Sequence, residues 1–224
     1  MVYRFLKRIF DLALSCLLIL FLFPLLLPLL ILLKLTGEGH VFYLQQRVGY
    51  RNKRFNVWKF ATMLKDSPNM TGGMITVRDD PRLTPMGKYL RKSKVNELPQ
   101  LINVVIGDMS FVGPRPLAEQ TFAAYTEEVQ DTIYNCKPGI TGIGSIVFRD
   151  EENLISNSNM DAKEFYQKYI SPYKGELEQW YQSNLSTLLD FKILFLTAWV
   201  IVFPNSNLLY SLLRGLPDKP DGLS

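Results

Sequence analysis

The chain of 224 residues holds one histidine and two cysteines. With His40 alone, a multi-histidine metal centre is excluded and a Ser-His-Asp triad has little to stand on. Cys16 lies inside an apolar run and Cys136 far from it, so there is no disulfide scaffold and no C-x-x-C pair for structural zinc. No G-x-G-x-x-G follows a strand-like run and no G-x-x-x-x-G-K-[ST] occurs, which removes a doubly wound dinucleotide fold and a P-loop. Internal repeats and low-complexity tracts are missing between residues 37 and 190. Charged residues make up only 21% against 47% hydrophobic, the balance of a chain that buries a core. Any catalysis therefore rests on carboxylates, lysines, arginines and a hard cation.

What is present is unevenly spread. Residues 1–100 carry 16 of the 25 Lys+Arg but only 6 of the 21 Asp+Glu, which leaves the rest of the chain acidic. A basic half that also contains a greasy run points to anionic lipid or phosphate and not to nucleic acid. That run, Leu12 to Leu33, is 22 residues without a charge. As a helix it reaches roughly 33 Å, enough for a bilayer core. It is longer than an ordinary signal-peptide core, and Leu35-Thr36-Gly37-Glu38 offers no small-residue cleavage site. Pro24 and Pro28 interrupt it. Arg4, Lys7 and Arg8 precede it, while Lys34, Arg47, Arg51, Lys53 and Arg54 follow, so neither flank is favoured for one side of a membrane. The pattern predicts a helix–break–helix that enters and leaves one leaflet, with a proline-kinked spanning anchor as the alternative. A second apolar stretch, Ile193 to Phe203, is too short to span and reads as an interfacial or a core helix.

Val41 to Leu44 and Arg54 to Trp58 read as strands around a polar turn, Gly49 to Lys53. Helical spacing predicts helices over 86–92, 101–106, 119–135, 160–169 and 175–189. The fold class is α+β: a mainly helical, membrane-associated domain with a small antiparallel strand element and an N-terminal re-entrant, proline-broken membrane helix. The boundaries are 1–36 for that helix, 37–184 for a globular catalytic domain, and 185–224 for a C-terminal interfacial helix and tail.

The most informative stretch is Lys94-Val95-Asn96-Glu97-Leu98-Pro99-Gln100-Leu101-Ile102-Asn103-Val104, followed by Gly107-Asp108-Met109-Ser110 and Gly113-Pro114-Arg115-Pro116. Asn96 is a good N-cap and Pro99 is tolerable in a first helical turn. Asn96, Gln100 and Asn103 then share a polar face, with Leu98, Leu101, Ile102 and Val105 facing inward. Arg115, between two prolines, sits on an extended, low-entropy backbone suited to bidentate phosphate binding. A capped core helix followed by a proline-rich turn explains the same pattern without any ligand.

These residues resemble the signature of the bacterial sugar transferase family of monotopic phosphoglycosyl transferases. Besides the basic, proline-broken first segment, the ordered boxes include Tyr43-Leu44-Gln45-Gln46-Arg47-Val48-Gly49, the Leu-Pro-Gln-Leu, Gly-Asp-Met-Ser and Gly-Pro-Arg-Pro elements, and Lys137-Pro138-Gly139-Ile140-Thr141-Gly142. The resemblance implies a transferase of bacterial polysaccharide or glycolipid biosynthesis at the cytoplasmic face of the inner membrane. In the family an Asp attacks the β-phosphate of a UDP-sugar with Mg²⁺ present. UMP leaves, and the covalent phosphosugar passes to polyprenyl phosphate. Carried over by position, Lys59, Arg115 and Arg47 become phosphate-binding candidates, and Glu97 an acid/base or metal-site carboxylate. Lys59 and Glu97 then count as catalytic with Asn96, while Pro24, Arg4, Lys7 and Arg8 belong to the membrane segment. The implied partners are a nucleotide-sugar donor, a lipid acceptor and the membrane, with a homodimer left open.

Departures from the family pattern cluster at the chemistry. Asn96 stands where the family has its nucleophilic Asp, and a carboxamide is neutral and weakly nucleophilic. Lys59-Phe60-Ala61-Thr62-Met63 lacks the arginine of the family's Lys-Phe-Arg box, and Ile143 to Arg149 departs from the usual sequence after Gly142. Three readings of Asn96 stand: an Asp→Asn change in an otherwise ordinary member, a branch that transfers the sugar directly with Glu97 as base, and a non-catalytic scaffold. Gly72-Gly73 reads as a turn, with close approach to a nucleotide phosphate as the alternative; Asp79-Asp80 reads equally as a cation site or as a turn or helix cap, His40 as an interfacial residue, and Asp150-Glu151-Glu152 as a solvated loop.

Overall fold

The computed structural model describes residues 2–36, 38–67, 81–204 and 206–223. Gly72-Gly73 and Asp79-Asp80 lie outside the described residues. Helices dominate, with two short two-stranded sheets. The chain folds as two compact units: Met1–Ile9 with Arg47–Phe55 and Asp108–Ser224, and Phe10–Gln46 with Asn56–Gly107.

The first element, α1 (Val2–Leu35), is one α-helix with Pro24 and Pro28 inside it. The expected break in helical structure is therefore absent. Each proline removes only its own N–H, so the bonds to the carbonyls of Leu20 and Pro24 are lost while the flanking turns keep theirs. Leu17, Leu20, Phe21 and Leu25 are each more than 60% exposed, so this helix carries its apolar surface outward. By length and composition it can cross a membrane.

In the unit containing most of α1, β1 (Phe42–Val48) and β2 (Arg54–Phe60) form the hairpin that the sequence predicts, each strand longer than expected. Arg51 and Asn52 take left-handed backbone in the connection. Beyond it come α2 (Gly87–Lys92) and α3 (Gln100–Ile106). Leu33, Phe60 and Leu90 form the buried core of this unit, joined by Leu26, Leu29, Leu30, Val41, Met86, Val95 and Leu98. The polar face predicted for 96–103 is the buried one: Asn96, Gln100 and Asn103 are all nearly inaccessible. Asn103 explains why, since its Oδ1 accepts from the Trp58 amide (2.9 Å) and its Nδ2 donates to the Asn56 carbonyl (2.8 Å). A carboxamide can satisfy both backbone groups of one strand residue pair, so it takes the inward position that an apolar residue could not.

In the other unit, β3 (Ser110–Val112) and β4 (Gly139–Thr141) pair in parallel, with Ser110 opposite Gly139 and Val112 opposite Thr141. The antiparallel element predicted from sequence is thus joined by a parallel one, whose crossover carries α4 (Glu119–Phe122) and α5 (Glu127–Ile133). The single helix expected over 119–135 is split, because the Thr126 hydroxyl caps α5 by accepting from the Val129 amide. Next come α6 (Ile143–Val147), α7 (Glu151–Ser156) and α8 (Ala162–Phe165), the last capped by Asp161. A π-turn joins α8 to α9 (Ser171–Ser183), followed by α10 (Thr187–Val202) and α11 (Leu208–Leu212). Helix α10 has a core side, with Leu189, Ile193 and Leu196 buried, and an exposed apolar side of Phe191, Phe195, Ile201 and Val202.

Glu151 is no solvated loop residue; it opens α7 and pairs with Lys174. One turn beyond Lys174 on α9, Glu178 is fully buried against the Gly144 amide. A Cβ on Gly144 would meet Glu178 Oε1 at 2.6 Å, so the glycine lets the carboxyl reach this backbone without shifting. Burial pushes the Glu178 carboxyl up to about 7, against the pull of Lys174 and of the Gly144 N–H. Because the folded state holds the proton more tightly, this group's contribution to stability is complete below its ordinary range and is lost as pH rises toward 7. Unfolding free energy should fall by up to about 3 kcal/mol between pH 4.5 and 8 from this group. Glu178→Gln should flatten that slope in chemical denaturation at a series of pH values; an unchanged slope would refute the assignment.

Candidate active site

The candidate residues fall into two sets, one in each unit. Lys59, Asn96 and Glu97 share the first. Lys59 lies near the end of β2, directly before Phe60 of the core, while Val95 and Leu98 of the same cluster bracket Asn96 and Glu97. Strand and turn are thus registered by one apolar contact set. Between them the Lys59 ammonium stands 3.8 Å from Glu97 Oε1, with both side chains 18% exposed. That separation is charge proximity rather than a tight hydrogen bond, and it leaves both groups partly open to a ligand.

Asn96 does not cap a helix. It sits in a 3₁₀ turn, Val95–Glu97, and Pro99, not Asn96, occupies the position before α3. The turn is entered through Lys94, whose φ of 58° is left-handed, a conformation costing of order 1 kcal/mol in a residue with a Cβ. Asn96 is 8% exposed, and its Oδ1 is buried without a hydrogen-bond partner. An orphaned acceptor of this kind costs about 1–3 kcal/mol. By position it matches the Asp oxygen of the family pattern, and the next residue of the turn is Glu97, the ion-pair partner of Lys59.

Arg47 and Arg115 belong to the second set. Arg47 is half-buried near the end of β1, and Arg115 is exposed in the proline-flanked turn after β3. The Val48 amide donates to the Leu117 carbonyl (2.9 Å), tying the end of β1 to the residues just past that turn. Here the Gly-Pro-Arg-Pro and Lys-Pro-Gly-Ile-Thr-Gly boxes prove to be neighbours. The Gly113 amide donates to the Thr141 carbonyl (2.9 Å), and the Gly139 amide to the Pro114 carbonyl (2.8 Å). A Cβ on Gly113 would meet the Lys137 carbonyl at 2.3 Å, which is why this approach needs glycine.

Tyr134 was not legible as a site residue. Its hydroxyl donates to the Arg115 carbonyl (2.8 Å) and accepts from the Leu117 amide (3.0 Å), so a single buried phenol holds both ends of the Arg115-Pro116 segment. Burial pushes this phenol well above the ordinary tyrosine range, keeping it a donor throughout the working pH range. Tyr134→Phe keeps the ring stacked on Phe122 but leaves two backbone groups unpaired. It should lower stability by about 1–3 kcal/mol, read as a fall of several degrees in thermal midpoint; a midpoint equal to that of the parent would show the turn holds itself.

The membrane residues separate as well. Arg4 is exposed and Arg8 half-buried, but Lys7 turns its ammonium onto Asp190 of α10 at 2.6 Å. Pro24 is exposed on α1. Among the described residues no group of three or more His, Cys, Asp or Glu side chains converges. Glu97 and the Asn96 oxygen are nevertheless hard donors, and Mg²⁺ is commonly held by one or two protein oxygens with substrate phosphate and water completing its shell. The residues present therefore suit a cation that arrives with a diphosphate.

The sequence profile of the bacterial sugar transferase family matches residues 2–204. An undecaprenyl-phosphate glucose phosphotransferase of Komagataeibacter xylinus is 38% identical over 203 residues, covering 85% of this chain but 35% of that protein. An undecaprenyl-phosphate galactose phosphotransferase of Salmonella typhimurium is 32% identical, over 89% of this chain and 41% of its own length. This chain thus spans less than half of either. An uncharacterized sugar transferase of Bacillus subtilis is 39% identical over 86% of this chain and 85% of its own length.

Proposed function

Because this chain belongs to the bacterial sugar transferase family, we propose that it moves a phosphosugar from a UDP-sugar to polyprenyl phosphate at a membrane surface. The observation that carries the reading is the turn at 95–97, where Asn96, its oxygen buried without a hydrogen-bond partner, directly precedes Glu97, whose Oε1 lies 3.8 Å from the Lys59 ammonium. The relatives of Komagataeibacter xylinus and Salmonella typhimurium are both named undecaprenyl-phosphate sugar phosphotransferases, which favours phosphosugar transfer over direct glycosyl transfer or a scaffold.

In this reading position 96 faces the β-phosphorus. A carboxylate there forms a P–O bond as the bond to UMP breaks; polyprenyl phosphate oxygen then attacks the same phosphorus and frees the carboxylate. Lys59 offsets charge on the transferring phosphoryl group; in the other unit, the Arg115 guanidinium, on its Tyr134-held turn, is suited to bidentate phosphate binding. Glu97 and the oxygen at position 96 would hold Mg²⁺, which when bound neutralises diphosphate charge. Asn96 keeps the binding groups but supplies a poor nucleophile, so turnover by the sequence as it stands is slow.

Placement on the cytoplasmic face of the inner membrane, with α1 dipping into one leaflet, belongs to the same proposal. It is supported by basic residues on both flanks of the apolar run. The two carbonyls left without donors by Pro24 and Pro28 support it further, since such groups are costly in hydrocarbon and favour a bend toward headgroups.

The leaving nucleotide tests the chemistry. Protein would be incubated with a panel of UDP-sugars, Mg²⁺ and polyprenyl phosphate, alongside Asn96→Asp and Glu97→Gln. UMP is expected, and most strongly from Asn96→Asp. Acceptor-dependent UDP lost in Glu97→Gln would replace the proposal with direct sugar transfer, and neither nucleotide from any variant would point to a scaffold.

A further inference from the structure

A groove of about 690 Å³ opens at the C-terminal end of α1, between its last two turns and the segment leading into β1. Leu30, Ile31, Leu35 and Phe42 give it apolar walls, and Lys34 and His40 are its polar groups. We propose that this groove holds the head and first units of a single-chain lipid monophosphate, the acceptor of the transfer reaction. The inference rests on the phosphosugar-transfer reading and adds to it where the acceptor waits.

Four observations carry it. The groove begins where the uncharged run Leu12 to Leu33 ends, so its apolar wall continues the surface that α1 offers to lipid. Ile31 (54%), Leu35 (79%) and Phe42 (42%) remain exposed, and Tyr43 and Leu44 prolong the exposed apolar edge along β1. Aromatic rings gather beside it: Phe42 meets Trp58 edge-on at 5.5 Å and stacks on the core residue Phe60 at 5.6 Å, and an indole such as that of Trp58 is a ring type enriched at headgroup depth. Finally, the polar groups suit a phosphate. Lys34 brings a cation on a stem long enough to reach a headgroup, and His40 keeps at least one N–H donor in either protonation state.

Competing charge is occupied elsewhere. Glu38, the carboxylate nearest in sequence, accepts from the Lys65 amide. The carbonyl of Leu32 is capped by both the amide (2.9 Å) and the hydroxyl (2.7 Å) of Thr36, which reduces the negative end of the helix that would repel an anion. The volume is that of a site for a small-molecule-sized ligand, room for a phosphate and the start of one chain, while the remainder of a long chain lies along α1 in the bilayer.

Leu30 and Val41 of the groove wall belong to the same core cluster as Phe60, Val95 and Leu98. One rigid contact set therefore joins the groove to the residues that flank Lys59, Asn96 and Glu97. A phosphate held at Lys34 and the proposed nucleophile turn are fixed to a common support.

The test needs no donor substrate. Protein in nanodiscs of phosphatidylethanolamine and phosphatidylglycerol, doped with undecaprenyl phosphate or with undecaprenol, would be released in native mass spectrometry and its retained lipid counted. Undecaprenyl phosphate should be retained at least about tenfold over phosphatidylglycerol and undecaprenol. Ile31→Trp, which fills the groove, and Lys34→Glu, which reverses its charge, should each abolish that preference. Leu20→Trp, on the exposed face of α1 outside the groove, should not. Both groove positions are solvent-facing, and circular dichroism checks that the variants fold. Equal retention of all three lipids by the parent, or retention unchanged in both groove variants, would overturn the proposal. Intact retention without UMP release from Asn96→Asp would instead sink the transfer reading and leave the groove as a lipid-phosphate site.

Discussion

Asn96→Asp should raise UMP release from the preferred UDP-sugar by on the order of 10³-fold or more, because it replaces an amide by a carboxylate nucleophile. The change is nearly isosteric, so the turn at 95–97 and its apolar bracket of Val95 and Leu98 should persist. Its electrostatic cost should be visible separately. The new carboxylate would occupy a site 8% exposed, next in sequence to Glu97, with Lys59 as the cation already engaged there. Desolvation and like-charge repulsion should lower stability by about 1–3 kcal/mol in the absence of divalent cation. Millimolar Mg²⁺ should recover most of that loss if positions 96 and 97 hold the cation. Two readouts therefore bear on one residue. UMP release equal to that of the parent would refute the nucleophile assignment, and a thermal midpoint indifferent to Mg²⁺ would refute the metal assignment independently. Glu97→Gln placed in the Asn96→Asp background should remove the Mg²⁺ response.

The second large effect concerns a buried charge in the other unit. Asp190 accepts from the Lys7 ammonium (2.6 Å), the Tyr3 hydroxyl (2.9 Å) and the Tyr181 hydroxyl (2.7 Å). The Lys7 and Asp190 side chains are only 12% and 11% exposed. Both phenols are pushed well above the ordinary tyrosine range, chiefly by burial and further by the Asp190 charge, so they remain donors. Asp190→Asn should cost about 3–5 kcal/mol, because it strands the Lys7 cation in a nearly water-free place while keeping the side-chain shape. In a chain of this length that is roughly a 10 °C fall in thermal midpoint. Lys7→Met alone should be similarly harmful, and the double variant Lys7→Met with Asp190→Asn should recover much of the loss, the amide oxygen still accepting from a tyrosine hydroxyl. Additive losses in that cycle would mean the pair is not coupled. The functional consequence is that the first turns of α1 are latched to α10, so the double variant should also show faster hydrogen exchange in residues 2–9 if the latch matters for order.

The ordered boxes, the apolar run and the charge asymmetry were all readable in the linear chain, and they led directly to the family. Local periodicity sufficed for the helical state of the apolar run, though not for its continuity through Pro24 and Pro28, and for the β1–β2 hairpin, α2 and α3, since each is built from neighbours in sequence. It failed where a single residue redirects the chain. Thr126 caps a new helix inside an apparently continuous one, and the polar stripe Asn96–Gln100–Asn103 turns inward because Asn103 bonds to β2. The parallel β3–β4 pair was invisible because its partners are separated by a helical crossover, and no local pattern encodes register across such a gap.

By itself, then, the sequence determined what kinds of chemistry are open: no histidine centre, no nucleotide-fold fingerprint, a long uncharged apolar first segment, and a carboxamide where a carboxylate is expected. Side-chain identity is sufficient for those conclusions, since a group either has the required charge and donors or lacks them. Tertiary structure decided what each group meets. Lys7, one cation among several on a basic flank, becomes the partner of Asp190, 183 residues away. Tyr134, an ordinary aromatic in the linear chain, becomes the clamp on Arg115. Burial and long-range contact set the energies of charged and hydrogen-bonding groups, and both are properties of the packed chain rather than of its order.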